Sequence, residues 1–325
     1  MGDKNGNVVV VIVNGQQRRG NKMTKLPSDF NEFMVKAMKT FPNLHPNYRE
    51  QDVTAYRKKV HGERFDKLNW SLRQHQNSTV SKGSIMVRVA AMKLEGVSSE
   101  EIRRTLLEDC QAQAVGLNER YKNVDIHMPI TPVMVTNMVN SAMKSVDAPY
   151  LEAFKLDSEL SKEYLKRWLK KDTVTVYRGI QGEPAKAMAL KARGENQPIT
   201  ISGNSLASFT TREGYAAQFN GVIIEKKVPI SRISYAFDWR EGNIPSPKSG
   251  SGESEVLLPS KVINPLSIRD IQVNEEKLGI TFKPARPYPS RIAISGHMVK
   301  QKRPRGGLLI TPTGRRIRQK RGSVI

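Results

Sequence analysis

The sequence predicts an α+β protein with a helical N-terminal part, a strand-rich second half and a basic tail. Three observations carry this. From Asp29 to Lys171 apolar residues recur at helical spacing. From Asp172 onward the pattern changes to short runs of β-branched and aromatic residues. From Lys283 to Ile325 there are twelve Lys or Arg and no Asp or Glu.

Taken in order, Val8–Val13 followed by Asn14-Gly15 reads as one short strand and a turn. Ser28 is placed to cap a helix that opens at Asp29 and buries Phe30, Phe33, Met34 and Met38. Residues 50–75 form another helical stretch, with Tyr56, Val60, Phe65, Leu68 and Leu72 as apolar positions. Ser84 to Gln113 reads as two helices joined at Gly96, the second opened by a capping box of Ser98 and Glu101. This pair resembles a DNA-binding helix-turn-helix at Gly96, Val97 and Ile102. Met92 and Thr105 stand where a small and an apolar residue belong, so a plain helical hairpin is the better reading. Thr131-Pro132 opens a further helix. Leu151 to Lys171 follows, its stripe built from Leu151, Phe154, Leu156, Leu160, Tyr164, Leu165, Trp168 and Leu169. Strands are expected at Thr173–Tyr177, Pro198–Ser202, Leu206–Thr210, Val222–Val228, Arg232–Phe237, Glu255–Leu258, Ile268–Val273 and Ile280–Phe282. Helices are expected at Glu183–Arg193 and from Thr211 through Phe219.

A chain of 325 residues accommodates one large or two modest domains. The formal charge of +22 points to a polyanionic partner or an anionic surface, and the tail supplies more than half of it. A single cysteine, Cys110, excludes an internal disulfide and a Cys-based zinc site and agrees with a reducing compartment. The five histidines show no ligand spacing, so no metal is expected. Val8–Val13 is too short for a signal-peptide core or a membrane span. A cytoplasmic location without membrane partners is expected, which includes a protein delivered into bacterial cytosol.

The stretch with most chemistry in it is Gly252-Glu253-Ser254-Glu255-Val256-Leu257-Leu258-Pro259. Two carboxylates at alternate positions at a strand start are expected to face one cleft. Such a pair suits chemistry at a sugar carbon, one carboxylate stabilising an oxocarbenium-like centre while the other handles a proton or nucleophile. In isolation Glu-x-Glu reads as two solvated acids, so the reading depends on partners. "TVTVYRGI" places Arg178 at a strand end followed by Gly179, a guanidinium able to fork onto phosphate beside a residue that admits close approach. Thirty residues on, "SLASFTTREGYAAQF" places Ser208-Phe209-Thr210 on a strand, with hydroxyls on one face that can brace a carboxylate or hold a ribose. Alone, these read as a rim arginine and a Ser/Thr-rich strand.

Together, Arg, then Ser-x-Thr, then Glu-x-Glu resembles the arginine–serine–glutamate class of mono-ADP-ribosyltransferases, which includes bacterial toxins and phage-encoded host-modifying enzymes. "ESEVLLP" is similar to that family's third motif and "VIIEKKVPISRISYAF" to the strands leading to it. The resemblance runs from about Asp147 to Val273. It implies a core of two packed, mainly antiparallel sheets flanked by helices, and NAD as co-substrate without a metal. The implied organisation is a helical region over 1–125, a catalytic domain over 126–283 and a basic, mostly disordered tail over 284–325. Arg178 would bind the NAD phosphates and Gly179 the nicotinamide amide. Ser208 would position Glu255, which stabilises the oxocarbenium, with Thr210 beside it. Glu253 is the family's mark of arginine-directed transfer to a protein acceptor. Tyr215 and Phe219 lie where the family often has an aromatic over nicotinamide, although a core place suits Phe219 better. Asp238–Gly252 looks like the substrate-recognition loop, with Trp239 or Phe237 able to touch the target. The second motif departs from the family, Ser-Phe-Thr standing where Ser-Thr-Ser is common.

The resemblance thus implies an NAD-dependent arginine-specific transferase acting on a protein, of a phage or bacterial effector type. Its basic tail could hold nucleic acid by counterion release. A different class of reading is a nucleic-acid-binding or virion-associated protein with an inactive transferase fold. A third is ADP-ribosylation of a nucleic acid.

Overall fold

A run of helices followed by short strands builds the described part of this chain. The computed structural model describes residues 11–13, 16–18, 25–77, 80–123, 128–194, 206–219, 221–245, 253–264, 266, 268–274, 278, 309–310 and 316–317. An N-terminal hairpin pairs β1 (Val11–Val13) with β2 (Gln16–Arg18). Seven helices follow: α1 (Phe30–Thr40), α2 (Pro46–His61), α3 (Phe65–Asn77), α4 (Lys82–Leu94), α5 (Ser99–Tyr121), α6 (Pro132–Ser145) and α7 (Ala148–Leu169). Then come β3 (Thr173–Ile180), α8 (Gly182–Gly194), β4 (Leu206–Thr210), α9 (Glu213–Ala216), β5 (Val222–Pro229), β6 (Tyr235–Ala236) and α10 (Phe237–Glu241). The series ends with β7 (Glu255–Pro259), α11 (Ser260–Ile263), β8 (Ile271–Val273), β9 (Leu309–Ile310) and β10 (Arg316–Ile317).

The expected caps at the later helices are in place. Ser98 Oγ accepts from Glu101 N at 3.2 Å, and Thr131 Oγ1 accepts from Met134 N at 3.2 Å with Pro132 at the first helical position. Ser28 does not cap α1. Asp29 holds that position without a cap bond, because its carboxylate is taken by Tyr56 Oη at 2.9 Å and Lys59 Nζ at 2.5 Å. The stretch 50–75 is two helices, interrupted by a 3-10 turn at Gly62–Arg64 where Gly62 has φ +55°. Helix α4 is buried on almost every side, from Gly83 through Met92, and packs against α3, α5, α6 and α7. Helix α4 is thus the central strut of the helical layer.

Strands β3 to β8 form one sheet in the order β6-β7-β4-β3-β5-β8, in which β4–β7, β6–β7 and β5–β8 are antiparallel. The architecture is α+β. The sequence led to an expectation of two packed sheets; apart from two-stranded hairpins, the strands among the described residues lie in this single sheet. The strand expected at Arg232–Phe237 is only two residues long, and the one at Ile268–Val273 begins with a 3-10 turn at Ile268–Asp270. The strands expected at Pro198–Ser202 and Ile280–Phe282 lie outside the described residues. So does the tail, apart from the β9–β10 pair.

The chain divides into two compact units. The first holds residues 1–174, 202–212 and 227–262; the second holds 175–201, 213–226 and 263–325. In the first, one apolar core runs from Phe30, Met34 and Phe41 through α4 to Leu206, Tyr235, Phe237, Trp239 and Leu257. The N-terminal helices and strands β4, β6 and β7 thus share one interior. Its polar centre is Asp157 on α7, which is fully buried. Arg57 Nε and Nη2 reach its two oxygens at 3.0 and 2.7 Å, and His61 Nε2 lies 3.0 Å away. Tyr235 Oη donates at 2.7 Å and Trp239 Nε1 at 3.0 Å. Burial opposes the charge on Asp157, but Arg57 and His61 outweigh it and hold the carboxyl well below the usual carboxylate range. Around Trp239 the rings of Phe30, Phe33, Tyr56 and Tyr164 lie with centroids 5.3–6.2 Å away. In the second unit β5 pairs with β8 at Val222↔Val273, and Ala185 and Ala189 of α8 are buried.

Candidate active site

The first unit carries the carboxylates. Strand β4 pairs with β7 so that Thr210 stands opposite Glu255 and Ser208 opposite Leu257. Glu255 is the first residue of β7, a strand buried along its whole length between β4 and β6. The residue is 8% exposed. Burial raises its pKa to about 7; the Ser208 hydroxyl, hydrogen-bonded to it, acts the other way, while Glu253 and Glu241 add to the rise and Arg240 offsets part of it. The second carboxylate oxygen, Oε2, is buried and has no hydrogen-bond partner among the described residues. A buried acceptor of this kind is costly unless a ligand or water completes it.

Glu253 reaches the neighbourhood of Glu255 by a route that strand alternation does not describe. Strand β7 starts only at Glu255, and Ser254 has φ +46°, in the left-handed region. The Glu-Ser-Glu segment is therefore a turn entering a strand, with Glu253 exposed and Glu255 buried. Two bonds from the end of β4 hold it: Thr210 Oγ1 donates to Glu253 O at 2.5 Å and Thr211 N donates to Ser254 O at 3.1 Å. Thr210 Oγ1 also accepts from Arg212 N at 3.0 Å. Thr210 is buried and its hydroxyl serves the backbone of the turn, whereas Ser208 is exposed.

Three side chains that sequence reasoning did not single out border these acids. Arg240 Nη2 lies 3.4 Å from Glu241 Oε1, and Glu241 also accepts from Gln76 Nε2 and Asn243 Nδ2, each at 2.5 Å. Gln76 comes from α3, so the N-terminal helices reach the edge of this cluster. Asp238 is fully buried; burial raises its pKa to about 7, with the Ser254 hydroxyl and Arg212 easing the shift and Glu241 adding to it. Neither of its oxygens has a hydrogen-bond partner among the described residues. Trp239 and Phe237, expected to touch a target from the loop, are both wholly buried. They lie in α10, which closes at Gly242, whose φ is +62°. Residues 246–252 of that loop lie outside the described residues.

The second unit carries Arg178 and Gly179 at the end of β3, both half-buried. A Cβ on residue 179 would stand 2.2 Å from Ala216 O and 2.7 Å from Phe219 Cβ and Cδ2. Only glycine lets the turn after α9 close onto the strand here. Phe219 is 38% exposed, so it is not the core residue expected of it, and its ring meets Tyr215 edge-on at 6.3 Å. Ser208, Thr210, Glu253 and Glu255 therefore belong together in one unit, and Arg178, Gly179, Tyr215 and Phe219 in the other.

Against known families, the model of dinitrogenase reductase ADP-ribosyltransferase matches residues 114–257. The match supports an ADP-ribosyltransferase family. It spans somewhat under half of the chain, beginning within α5 and ending within β7, and it contains all the candidate residues named above. No curated protein and no solved structure matches the chain. No helix among the described residues is long and apolar enough to cross a membrane.

Proposed function

We propose that the chain is an NAD-dependent mono-ADP-ribosyltransferase that moves ADP-ribose from NAD to an arginine of a protein acceptor and releases nicotinamide. The observation that carries this reading is Glu255, buried, braced by Ser208 and with Oε2 left without a partner, inside the segment matched by an ADP-ribosyltransferase model. An acceptor oxygen of this kind suits a ribose hydroxyl. In the ionised state Glu255 stabilises the positive charge that grows on the ribose as its bond to nicotinamide breaks.

Glu253 takes the second role. Being exposed and next to Glu255, it can pair with an acceptor guanidinium and remove its proton as the guanidinium nitrogen bonds to the ribose carbon. The bond broken is ribose carbon to nicotinamide nitrogen, and the bond formed is ribose carbon to guanidinium nitrogen. Arg178 is assigned to the NAD phosphates, because a guanidinium offers the planar fork they need. The backbone of Gly179 is assigned to the nicotinamide amide and the exposed Phe219 to an aromatic face over nicotinamide, with Thr210 supporting the turn that carries the acids. A bacterial protein in the cytosol is the proposed acceptor, and an effector of phage type the proposed setting.

The test is incubation of the full chain with NAD labelled in its adenylate part and a bacterial lysate. A labelled protein band, labelled at arginine, and its loss in Glu255→Gln are the expected results. Label appearing on nucleic acid and on no protein would replace the reading with nucleic-acid modification.

A further inference from the structure

We propose that the groove at the C-terminal end of α7 seats the sugar-phosphate backbone of a nucleic acid, held by Lys166, Arg167, Lys170 and Lys171. The inference is independent of the transferase reading. It places a polyanion surface on the first unit, in addition to the basic tail.

The sequence concentrates charge here. From Lys162 to Lys171 five of ten residues are Lys or Arg and one, Glu163, is acidic. Lys166 and Arg167 share a helix face with Glu163, and Lys170 and Lys171 follow where the helix stops. With Met38 of α1, Glu163 and Asp172, the four cations line a groove of about 430 Å³. All of these residues belong to the first unit.

The cations differ in how they are held. Arg167 Nε donates to Glu163 Oε1 at 2.8 Å and Nη2 to Asn31 Oδ1 at 2.5 Å, and Cζ lies 5.6 Å from the centre of the Phe30 ring. Its planar charge is therefore presented in one place. Lys166 Nζ lies 2.7 Å from Asp172 Oδ1, but those side chains are 50% and 82% exposed. An exposed pair of this kind contributes little, so a phosphate can take the place of the aspartate. Lys170 and Lys171 are exposed and form no ion pair among the described residues.

The backbone supplies a second, independent sign. Lys170 has φ +52° and ψ +38°, in the left-handed region. Helix ends reach that conformation mostly through glycine, because a Cβ costs free energy there. A lysine lowers stability relative to glycine and keeps a cation where the chain leaves the helix. The helix dipole does not call for it, since Lys166 and Arg167 already stand in the last turn. A row of cations along a concave floor matches successive phosphates. A bilayer surface would call for large apolar side chains that insert, and Met38, the apolar lining residue, is only partly exposed.

The experiment follows binding of the full chain to a fluorescent single-stranded oligonucleotide by anisotropy over a series of salt concentrations. Wild type is compared with Lys170→Gln/Lys171→Gln and Lys170→Gly. A control of equal charge is Lys144→Gln/Lys191→Gln, exposed lysines of α6 and α8. Loss of two phosphate contacts should lower the log–log salt slope by about 1.4 in the first double variant, and the control pair should leave it unchanged. Lys170→Gly should lower it by about 0.7. Its unfolding constant in urea should at the same time fall about threefold or more, because glycine relieves the left-handed residue. Affinity lost together with stability would mean that the lysine only holds the helix end, and would overturn the proposal. So would an unchanged slope in Lys170→Gln/Lys171→Gln, an equal fall in the control pair, or a wild-type chain that does not bind the oligonucleotide. If that double variant instead loses affinity for phosphatidylserine vesicles and keeps the oligonucleotide slope, the groove faces a membrane and the proposal falls.

Discussion

A carboxylate that must carry charge in a reaction is ordinarily kept wet, yet Glu255 is buried at the head of a buried strand. Burial, followed by the nearby Glu253 and Glu241, holds its pKa at about 7 against the pull of Ser208 and Arg240. This gives a pH signature. Because the ionised form does the work, nicotinamide release per unit NAD, as kcat/KM, should rise with pH and level off above about 7. A rate that stays flat from pH 5.5 to 8.5 would remove Glu255 from that role. The two glutamates should also separate. Glu255→Gln is expected to lose both nicotinamide release and protein labelling by roughly a hundredfold or more, for want of oxocarbenium stabilisation. Glu253→Gln should lose labelling far more than release, because water can take the place of the guanidinium. Equal losses of both activities in Glu253→Gln would show that its role is not specific to the acceptor. Asp238 adds a stability signature of the opposite sign. Its folded pKa is raised, so its contribution is complete below the unfolded carboxyl range and is lost as pH rises through about 7. Urea titrations at pH 5 and pH 8 should therefore show a smaller pH dependence in Asp238→Asn than in wild type, by on the order of a few kcal/mol.

At the scale of elements, what the sequence reveals depends on whether a residue answers to its neighbours along the chain. Ser98, Thr131 and Pro132 mark helix starts through local chemistry, and those helices begin where the sequence says. The strands at Leu206–Thr210 and Glu255–Pro259 likewise follow their own composition. The segment Phe237–Glu241 does not. Its aromatics read as a strand end or a loop, but Trp239 turns helical because an indole donor is wanted at Asp157 and a ring is wanted among Phe30, Phe33 and Tyr56. Those partners lie far away in sequence, so no local pattern announces them. Ser254 is the same case: Glu-Ser-Glu reads as an alternating strand, but it is a turn held by bonds from Thr210 and Thr211. Asp157 did leave a trace, an acid three residues from both Phe154 and Leu160 on an apolar stripe, which is where a paired buried charge sits. Removing that charge strands Arg57, which is also fully buried. Asp157→Asn should cost about 3–5 kcal/mol in urea denaturation, the usual toll for orphaning one half of a buried pair. A loss below about 1 kcal/mol would mean that the Tyr235 and Trp239 donors hold α7 to the strands without it.

On the scale of the whole molecule, charge and core are carried by different parts of the chain. Ending the chain at Pro284 removes eleven basic residues and no acidic one. This should leave NAD chemistry intact while nucleic-acid affinity falls and becomes much less salt-dependent, since each phosphate contact contributes a slope close to one in log–log terms. Undiminished binding after the cut would move the polyanion surface to the helices. The opposite cut tests the core. A chain starting at residue 126 keeps every residue assigned to chemistry, but it discards Arg57 and His61 from Asp157, Phe30, Phe33 and Tyr56 from Trp239, Gln76 from Glu241, and the buried strut α4. What remains would expose Trp239, Phe237 and Leu257 on one side and leave a buried carboxylate without its cation. The helices of residues 30–121 are therefore part of the body that holds Glu255, and no separable accessory. Expressed alone, 126–283 should be insoluble or lack a cooperative unfolding transition, and adding residues 25–125 as a separate chain should restore one. A soluble 126–283 chain that unfolds cooperatively and releases nicotinamide at the wild-type rate would show that the strands need none of this support.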